Sequence, residues 1–358
     1  MKKSLTFIIS SIMLLLSCTS LEAQLKSYGN RYDSPRTLDN FDDYVGFLKY
    51  KAKQAGVSSH FLVSQQNISY IDKAVELDEK QSPKKTQTTY ETPPPNPDGV
   101  TRYLNRVLTQ TKVDKAVELW WQYQPQLVKA SQQYQVPKEY LMALWGMESS
   151  FGYYQGDYDV LSVLATLAFE GRREKLFTQE FINAMKILEN GTISRSKMKG
   201  SWAGAMGQSQ FMPTAYLSYA ADGNGDGKKD IWTEQYDVFA SIASYLSTIG
   251  WDKNLPWGVE VDLALPLDLS VSGIQRNKAK KLSQWLGLGL VLNDSTDVNL
   301  AKLAQLQNAD LWLVRPNKEV GRAFLVSTNY RTLRNWNNSN YFAISIGQFA
   351  ERIAKEVY

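Results

Sequence analysis

Apolar residues recur at helical spacing along most of the chain. Between Asp42 and Glu79, Tyr44, Phe47 and Leu48 share one face, and Phe61, Leu62 and Ile68 begin another. The stretch KKTQTTYETPPPNPDG interrupts this pattern. Pro93, Pro94, Pro95, Pro97 and Gly99 exclude a helix or a central strand there and predict an exposed loop. A long helical zone follows to about Asn190, with Phe177, Phe181, Met185 and Leu188 as an apolar stripe and Gly191 placed to stop the helix. Such stripes are core rather than function. Within this zone PKEYLMALWGME predicts a helix opening at Pro137, with Leu141, Leu144, Trp145 and Glu148 on one face and Gly152 as its stop.

From Val259 to Thr328 the texture changes. VEVDLALPLDLSV alternates as a strand does, Lys278 to Lys281 form a basic, helix-like run, and LWLV and AFLV read as buried strands. The chain closes with Phe342, Ile346, Phe349 and Ile353 at helical spacing behind NNSN, a stretch suited to an N-cap. The expected class is mainly α with a small β-containing part (α+β). The expected segments are a signal over 1–23, an N-terminal helical region over 24–100, a core over 101–255, the β-containing part over 256–335 and a C-terminal helix over 336–358 that packs back on the helical region.

At 358 residues the chain can bury a large core. A formal charge of +4 is too small and too dispersed to indicate nucleic acid. Lys2 and Lys3 precede an apolar run from Leu5 to Leu16 that is short for a bilayer span and reads as a secretory signal. Cys18, the one cysteine, follows Leu15-Leu16-Ser17, as in a bacterial lipoprotein signal whose cysteine is lipidated, and Thr19 is compatible with outer-membrane sorting. The other reading is cleavage after Ala23 to give a soluble periplasmic protein. On both readings the mature chain has no disulfide and no catalytic thiol, and His60, the single histidine, cannot build a zinc site alone.

Glu148 is a lone acid on an apolar face in the last turn of its helix, where the dipole and desolvation both favour the protonated form. A general acid needs that state at neutral pH; a buried structural glutamate is the other reading. A second segment, KGSWAGAMGQSQFMP, combines small residues with Ser201, Gln208, Ser209 and Gln210, neutral groups suited to sugar hydroxyls and acetamido groups. A tight helix crossing made of small residues is the other reading. In DGNGDGKKDIW, Asp222, Asn224 and Asp226 take positions one, three and five of an EF-hand-like loop, with the Lys228 carbonyl at seven. The twelfth position is Thr233, so the usual bidentate glutamate is missing, and a metal-free Asp/Asn/Gly turn is the other reading.

In this order GMESSFG, KGSWAGAMGQSQFMPTAYLSYAADGNGDGKKDIW, ASIASYL and RNWNNSNYFAISI resemble the lytic murein transglycosylase B family, over about Phe41 to the C-terminus. The resemblance implies a lysozyme-like core with an added helical domain and a small β-domain. The implied activity is periplasmic cleavage of the MurNAc-GlcNAc β-1,4 bonds of peptidoglycan glycan strands, leaving 1,6-anhydro ends. Carried over residue by residue, it makes Glu148 the acid and then the base. Ser201, Gln210 and Phe211 become cleft residues, Tyr245 an aromatic at the cleft floor, and Tyr103, Arg172 and Arg173 further cleft residues. Trp336 and Asn337 contribute from the far side, with Phe342 behind them. Asn338 stands where the family commonly has arginine, which puts a charged substrate contact in question. In the family the metal loop is longer and closes on a later acid, here Asp237, so 222–237 is a candidate calcium loop that orders structure without chemistry. No cofactor is implied for the reaction itself.

Glycosidases ordinarily use two carboxyl groups. Asp157, Asp159 and Glu170 read more simply as solvated or ion-paired. The family's route takes its nucleophile, the C6 hydroxyl, from the substrate. Two alternatives stand beside it: a water-using muramidase with a second acid, and a non-catalytic peptidoglycan-binding lipoprotein. The implied partners are glycan strands and, through Cys18, a membrane.

Overall fold

The structure is a computed structural model that describes residues 39–81, 96–292 and 297–358, the side chains of 297–300 excepted. The signal segment, Cys18 and Pro93 to Pro95 lie outside the described residues. The helices and strands are, in order, α1 (Phe41–Gln54), α2 (Ser59–Ser64), α3 (Asp72–Gln81), α4 (Gly99–Val107), α5 (Gln110–Gln122), α6 (Gln124–Tyr134), α7 (Lys138–Ser149), β1 (Tyr158–Asp159), α8 (Val160–Glu170), α9 (Glu174–Glu189), β2 (Lys199–Gly200), α10 (Pro213–Tyr219) and α11 (Gln235–Ile249). After these come β3 (Gly258–Leu263), α12 (Leu282–Gly287), β4 (Leu290–Leu292), α13 (Asp297–Leu306), β5 (Trp312–Val314), β6 (Ala323–Val326), α14 (Thr328–Trp336) and α15 (Asn340–Val357). The described residues form two compact units, one drawn from 39–81 and 154–218, the other from 96–153 and 219–358.

In the first unit, α8 is the central helix because VLSVLATLAFE carries no charge before its last residue, and every side chain from Val160 to Ala168 is buried. Asp159 caps it, accepting from the Ser162 N–H at 3.0 Å, and Arg195 in turn holds Asp159 at 3.0 Å. The stripe Phe177, Phe181, Met185 and Leu188 buries α9, which packs beside α8. The apolar pattern over 42–79 resolves into three helices, of which α1 and α3 pack on α8. Ser58 starts the second by accepting from the Phe61 N–H. β1 and β2 pair antiparallel, Tyr158 opposite Gly200.

In the second unit, α7 is enclosed by α5, α6, α11 and α15, and Tyr140 to Gly146 are all buried. The ring of Trp145 meets Tyr123 at 5.5 Å and Phe239 at 5.2 Å, edge to face. A four-stranded antiparallel sheet of order β4-β3-β6-β5 carries a smaller core around Trp285, Leu313 and Leu325. AFLV forms β6, a central strand with all four residues buried. Of the run Lys278 to Lys281 only Lys278 is helical, closing the 3-10 turn Arg276–Lys278; Lys280 bridges to Leu311, and α12 starts only at Leu282. Ser339 supplies the cap of α15 within NNSN, accepting from the Phe342 N–H at 3.3 Å. Among the described residues no helix is long and apolar enough to cross a membrane.

Candidate active site

The turn behind Glu148 is built by the residues that follow it. α7 ends at Ser149, short of Gly152, because Ser150, Phe151 and Gly152 take left-handed φ values of 48°, 62° and 84°. The N–H groups of Ser150 and Phe151 both donate to the Trp145 carbonyl, and the Gly152 N–H donates to Ser149 Oγ at 2.9 Å. Left-handed non-glycine residues cost on the order of 1 kcal/mol or more each and need surrounding packing to hold them. Here the Phe151 ring is clamped edge to face on Trp145 at 5.4 Å and on Phe349 at 6.5 Å. Gly146 makes that clamp possible, since a Cβ at this position would lie 2.6 Å from the Phe151 ring.

The carboxyl so presented is partly buried, and its Oε1 accepts from Trp336 Nε1 at 2.7 Å. Burial raises its pKa to about 7, against the Trp336 hydrogen bond, which favours the ionised form. No other carboxylate contributes to that shift among the described residues. Trp336, the last residue of α14, stacks edge to face on Tyr245 of α11 at 4.7 Å, and Tyr245 stacks on Tyr219 at 4.6 Å. Burial and the neighbouring Tyr219 push the Tyr245 hydroxyl up to about 12. Glu148, Tyr245 and Trp336 therefore form one cluster. Tyr219 is its fourth member; in the sequence its only signal is a place inside the long motif.

Other expected site residues lie elsewhere in the second unit. Tyr103 of α4 packs on Tyr341 at 5.3 Å with the Arg106 guanidinium over its ring. Phe342 is buried in the first turn of α15, and Asn337 is exposed at the end of α14. In the first unit, Ser201 Oγ accepts from the Ala205 N–H at 3.1 Å and the Ser201 N–H donates to the Ala205 carbonyl at 2.8 Å, so Ser201 closes a tight turn. Gln210, at φ 50°, donates through Nε2 to the Gln155 carbonyl at 3.1 Å and the Gly207 carbonyl at 2.8 Å. The Phe211 ring is buried. Arg172 and Arg173 both pair with the carboxylate of Asp78, which they hold below the usual aspartate range. Asp159 is committed to Arg195, and Glu170 accepts from the Tyr70 hydroxyl.

The Asp/Asn/Gly loop is ordered by its own side chains. Asp222 accepts from the N–H groups of Gly225 at 2.6 Å and Gly227 at 2.8 Å, Asn224 from Asp226 at 2.9 Å, and Asp226 from Lys228 at 2.8 Å. Asp237 is buried in the first turn of α11 and accepts from Gly223 at 2.7 Å and Asp230 at 2.7 Å, tying both ends of the loop together. Among the described residues no three acids stand close enough to form a metal cluster. The donor set, carboxylate, amide and carbonyl oxygens around glycines, nonetheless suits a hard cation.

Comparison with known proteins places the chain in a family. The Transglycosylase SLT domain family matches residues 40–351. The chain belongs to that family. It is 30% identical to membrane-bound lytic murein transglycosylase B of Escherichia coli over 292 residues, 79% of this chain and 74% of that protein. SltB3 of Pseudomonas aeruginosa, solved in complex with NAG-NAM-pentapeptide, superposes with a TM-score of 0.76 at 32% identity, covering 88% of this chain and 80% of that one. The Escherichia coli lytic transglycosylase Slt35, solved in complex with calcium, gives a TM-score of 0.70 at 26% identity over 88% of this chain and 93% of that one. These likenesses establish the expected class, mainly α with a lysozyme-like core.

Within this Transglycosylase SLT domain the Trp336 hydrogen bond has a testable consequence. Trp336→Phe removes a bond that favours the carboxylate, so the Glu148 pKa should rise above about 7 and the alkaline limb of the pH–rate profile should move to higher pH. The maximal rate should fall roughly 10- to 100-fold, as expected for loss of one hydrogen bond to a charged group. An unmoved alkaline limb would show that the indole does not govern this proton.

Proposed function

We propose that this protein is a peptidoglycan lytic transglycosylase in which Glu148 serves as both acid and base. The observation that carries the reading is the single carboxyl at the end of α7, held by Trp336, with a pKa raised to about 7 and no second acid contributing to its environment. Protonated Glu148 donates to the oxygen leaving C1 of N-acetylmuramic acid while the acetamido group assists at C1. The resulting carboxylate then takes the proton of the C6 hydroxyl as that oxygen attacks C1, closing a 1,6-anhydro ring. Tyr245 and Trp336 form the aromatic surface beside the carboxyl. On the first unit Ser201, Gln210 and Phe211 keep the role of substrate-binding residues that the sequence resemblance gives them, as Tyr103, Asn337 and Phe342 do on the second. Arg172 and Arg173, both tied to Asp78, act by shaping their surface. Digestion of purified sacculi, followed as release of soluble muropeptides, tests the activity; sacculi left intact by the purified protein would refute it.

Calcium is assigned to Asp222, Asn224, Asp226 and the Lys228 carbonyl, with Asp237 holding the loop closed from behind, and its role is to stabilise. At about a hundred times its dissociation constant, a ligand that binds only the folded state adds about 2.7 kcal/mol. Calcium should therefore raise the melting temperature by several degrees and a chelator should reverse it, with no such response in Asp226→Ala. Identical melting curves under both conditions would leave a metal-free turn. The leader ahead of Cys18 supports a periplasmic enzyme anchored to the outer membrane. Metabolic fatty-acid labelling should mark the wild type and not Cys18→Ala, whereas an unlabelled wild type beginning near Gln24 would be a soluble form.

A further inference from the structure

Beside the turn that follows Glu148, the second unit holds an open groove of about 570 Å³. Its floor and one wall are aromatic: Tyr123, Trp145 and Phe151, packed edge to face at 5.4 to 5.5 Å, with the exposed ring of Tyr153 at the rim. The other wall is the first half of α5 and brings two cations, Lys112 and Lys115, with no acid among the lining side chains. Lys115 is already paired, with Glu118 at 2.6 Å, and Asp114, the other acid in this stretch of α5, accepts from Gln110 at 2.8 Å.

Lys112 is different. It is partly buried, and among the described residues its ammonium meets only the Met147 thioether sulfur, at 3.9 Å. Desolvation lowers its pKa, so its charged form is held at a cost that nothing in the described structure offsets. A desolvated ammonium facing an apolar groove is a site for a carboxylate attached to an apolar or planar body. Ser150 to Tyr153, which line this groove, belong to the turn that ends the helix carrying Glu148.

We propose that this groove receives the peptide stem carried by N-acetylmuramic acid, with Lys112 pairing a carboxylate of that peptide and the aromatic wall covering its apolar side chains. The assignment rests on the function proposed above. It makes Lys112 a specificity residue for peptide-bearing strands.

The test uses the full chain carrying Glu148→Gln, so that ligands bind without being consumed, and two probes: the GlcNAc–MurNAc disaccharide with an acidic tetrapeptide, and the same disaccharide without peptide, whose lactyl carboxylate is then free. Binding is read by calorimetry. Adding Lys112→Met, which keeps the aliphatic stem, should weaken the peptide-bearing probe about tenfold and leave the peptide-free probe unchanged, while Lys112→Arg should keep most of the affinity. Equal losses for both probes would place the lactyl carboxylate on Lys112 and overturn the proposal, as would no loss for either, or an arginine variant as weak as the methionine one. Sacculus digestion by the wild type judges the activity separately: digestion together with unaltered Lys112→Met binding rejects this site alone.

Discussion

Glu148→Gln should abolish sacculus digestion, lowering the rate by on the order of a thousandfold or more, because glutamine keeps the shape and the hydrogen bond from Trp336 but carries no transferable proton. The same substitution should stabilise the fold at alkaline pH. The folded-state pKa of about 7 lies above the ordinary value of 4.5, so the contribution of the protonated carboxyl to stability is complete below about pH 4.5 and is lost as pH rises through 7. At pH 8 the wild type carries the cost of an ionised, desolvated carboxylate, on the order of 3 kcal/mol as an upper value, and the variant does not. Thermal melts at pH 8 should therefore favour Glu148→Gln, with the gap closing toward pH 4.5. Retained digestion within tenfold of wild type would remove Glu148 from the mechanism, and a melting difference independent of pH would contradict its raised pKa.

Much of the fold is written in one-dimensional pattern. The stripe of α9, the uncharged run of α8, the apolar face of α7 and the buried strand AFLV each report their own burial, because helical and strand periods place those residues on one side regardless of the neighbour they meet. The pairing of distant segments is not written that way. Nothing local in 154–218 says that it joins the N-terminal helices while 96–153 joins the C-terminal half. The end of α7 is a second instance. Gly152 looks like the stop, yet Ser150 and Phe151 leave the helix first, a strained choice that depends on Phe349, some two hundred positions away, clamping the ring.

The candidate site divides along the same line. Glu148 is legible because an acid on an apolar helical face is chemically conspicuous, and its raised pKa follows from burial as that face implies. Its partnership with Trp336 and Tyr245 comes through the family motifs, since residues 148, 245 and 336 share no local pattern. Tyr219 has no signal beyond its place in the long motif and the uncompensated Lys112 has none: an aromatic in a motif and a lysine on an amphipathic helix are ordinary, and only the packed structure shows what each one faces. Arg172 and Arg173 enter the site only through the family resemblance, and their pairing with Asp78, about ninety positions earlier, has no local signal.

Every new muramic acid end released by this enzyme should be lighter by one water than the hydrolytic product, and digestion in water enriched in heavy oxygen should place no label on that terminus. The expectation follows from the surroundings of Glu148, where among the described residues no other carboxylate contributes to its raised pKa. A two-carboxylate hydrolase positions its other acid to activate water or to attack C1 itself, at separations of about 5 to 9.5 Å. Here the nearest influences on Glu148 are desolvation and an indole N–H, and Asp159 and Glu170 are committed to Arg195 and Tyr70. An internal nucleophile overcomes this deficit: a C6 hydroxyl held next to C1 acts at an effective concentration of up to about 10⁵ M or more, far above the roughly 55 M of bulk water. The carboxylate left after the first proton transfer is the base that such an attack requires. Mass spectrometry before and after borohydride treatment decides the matter, because an anhydro end has no reducing carbon and should be unchanged. Reducible ends carrying solvent oxygen would make water the nucleophile and would require a second acid beyond the groups that set the Glu148 pKa.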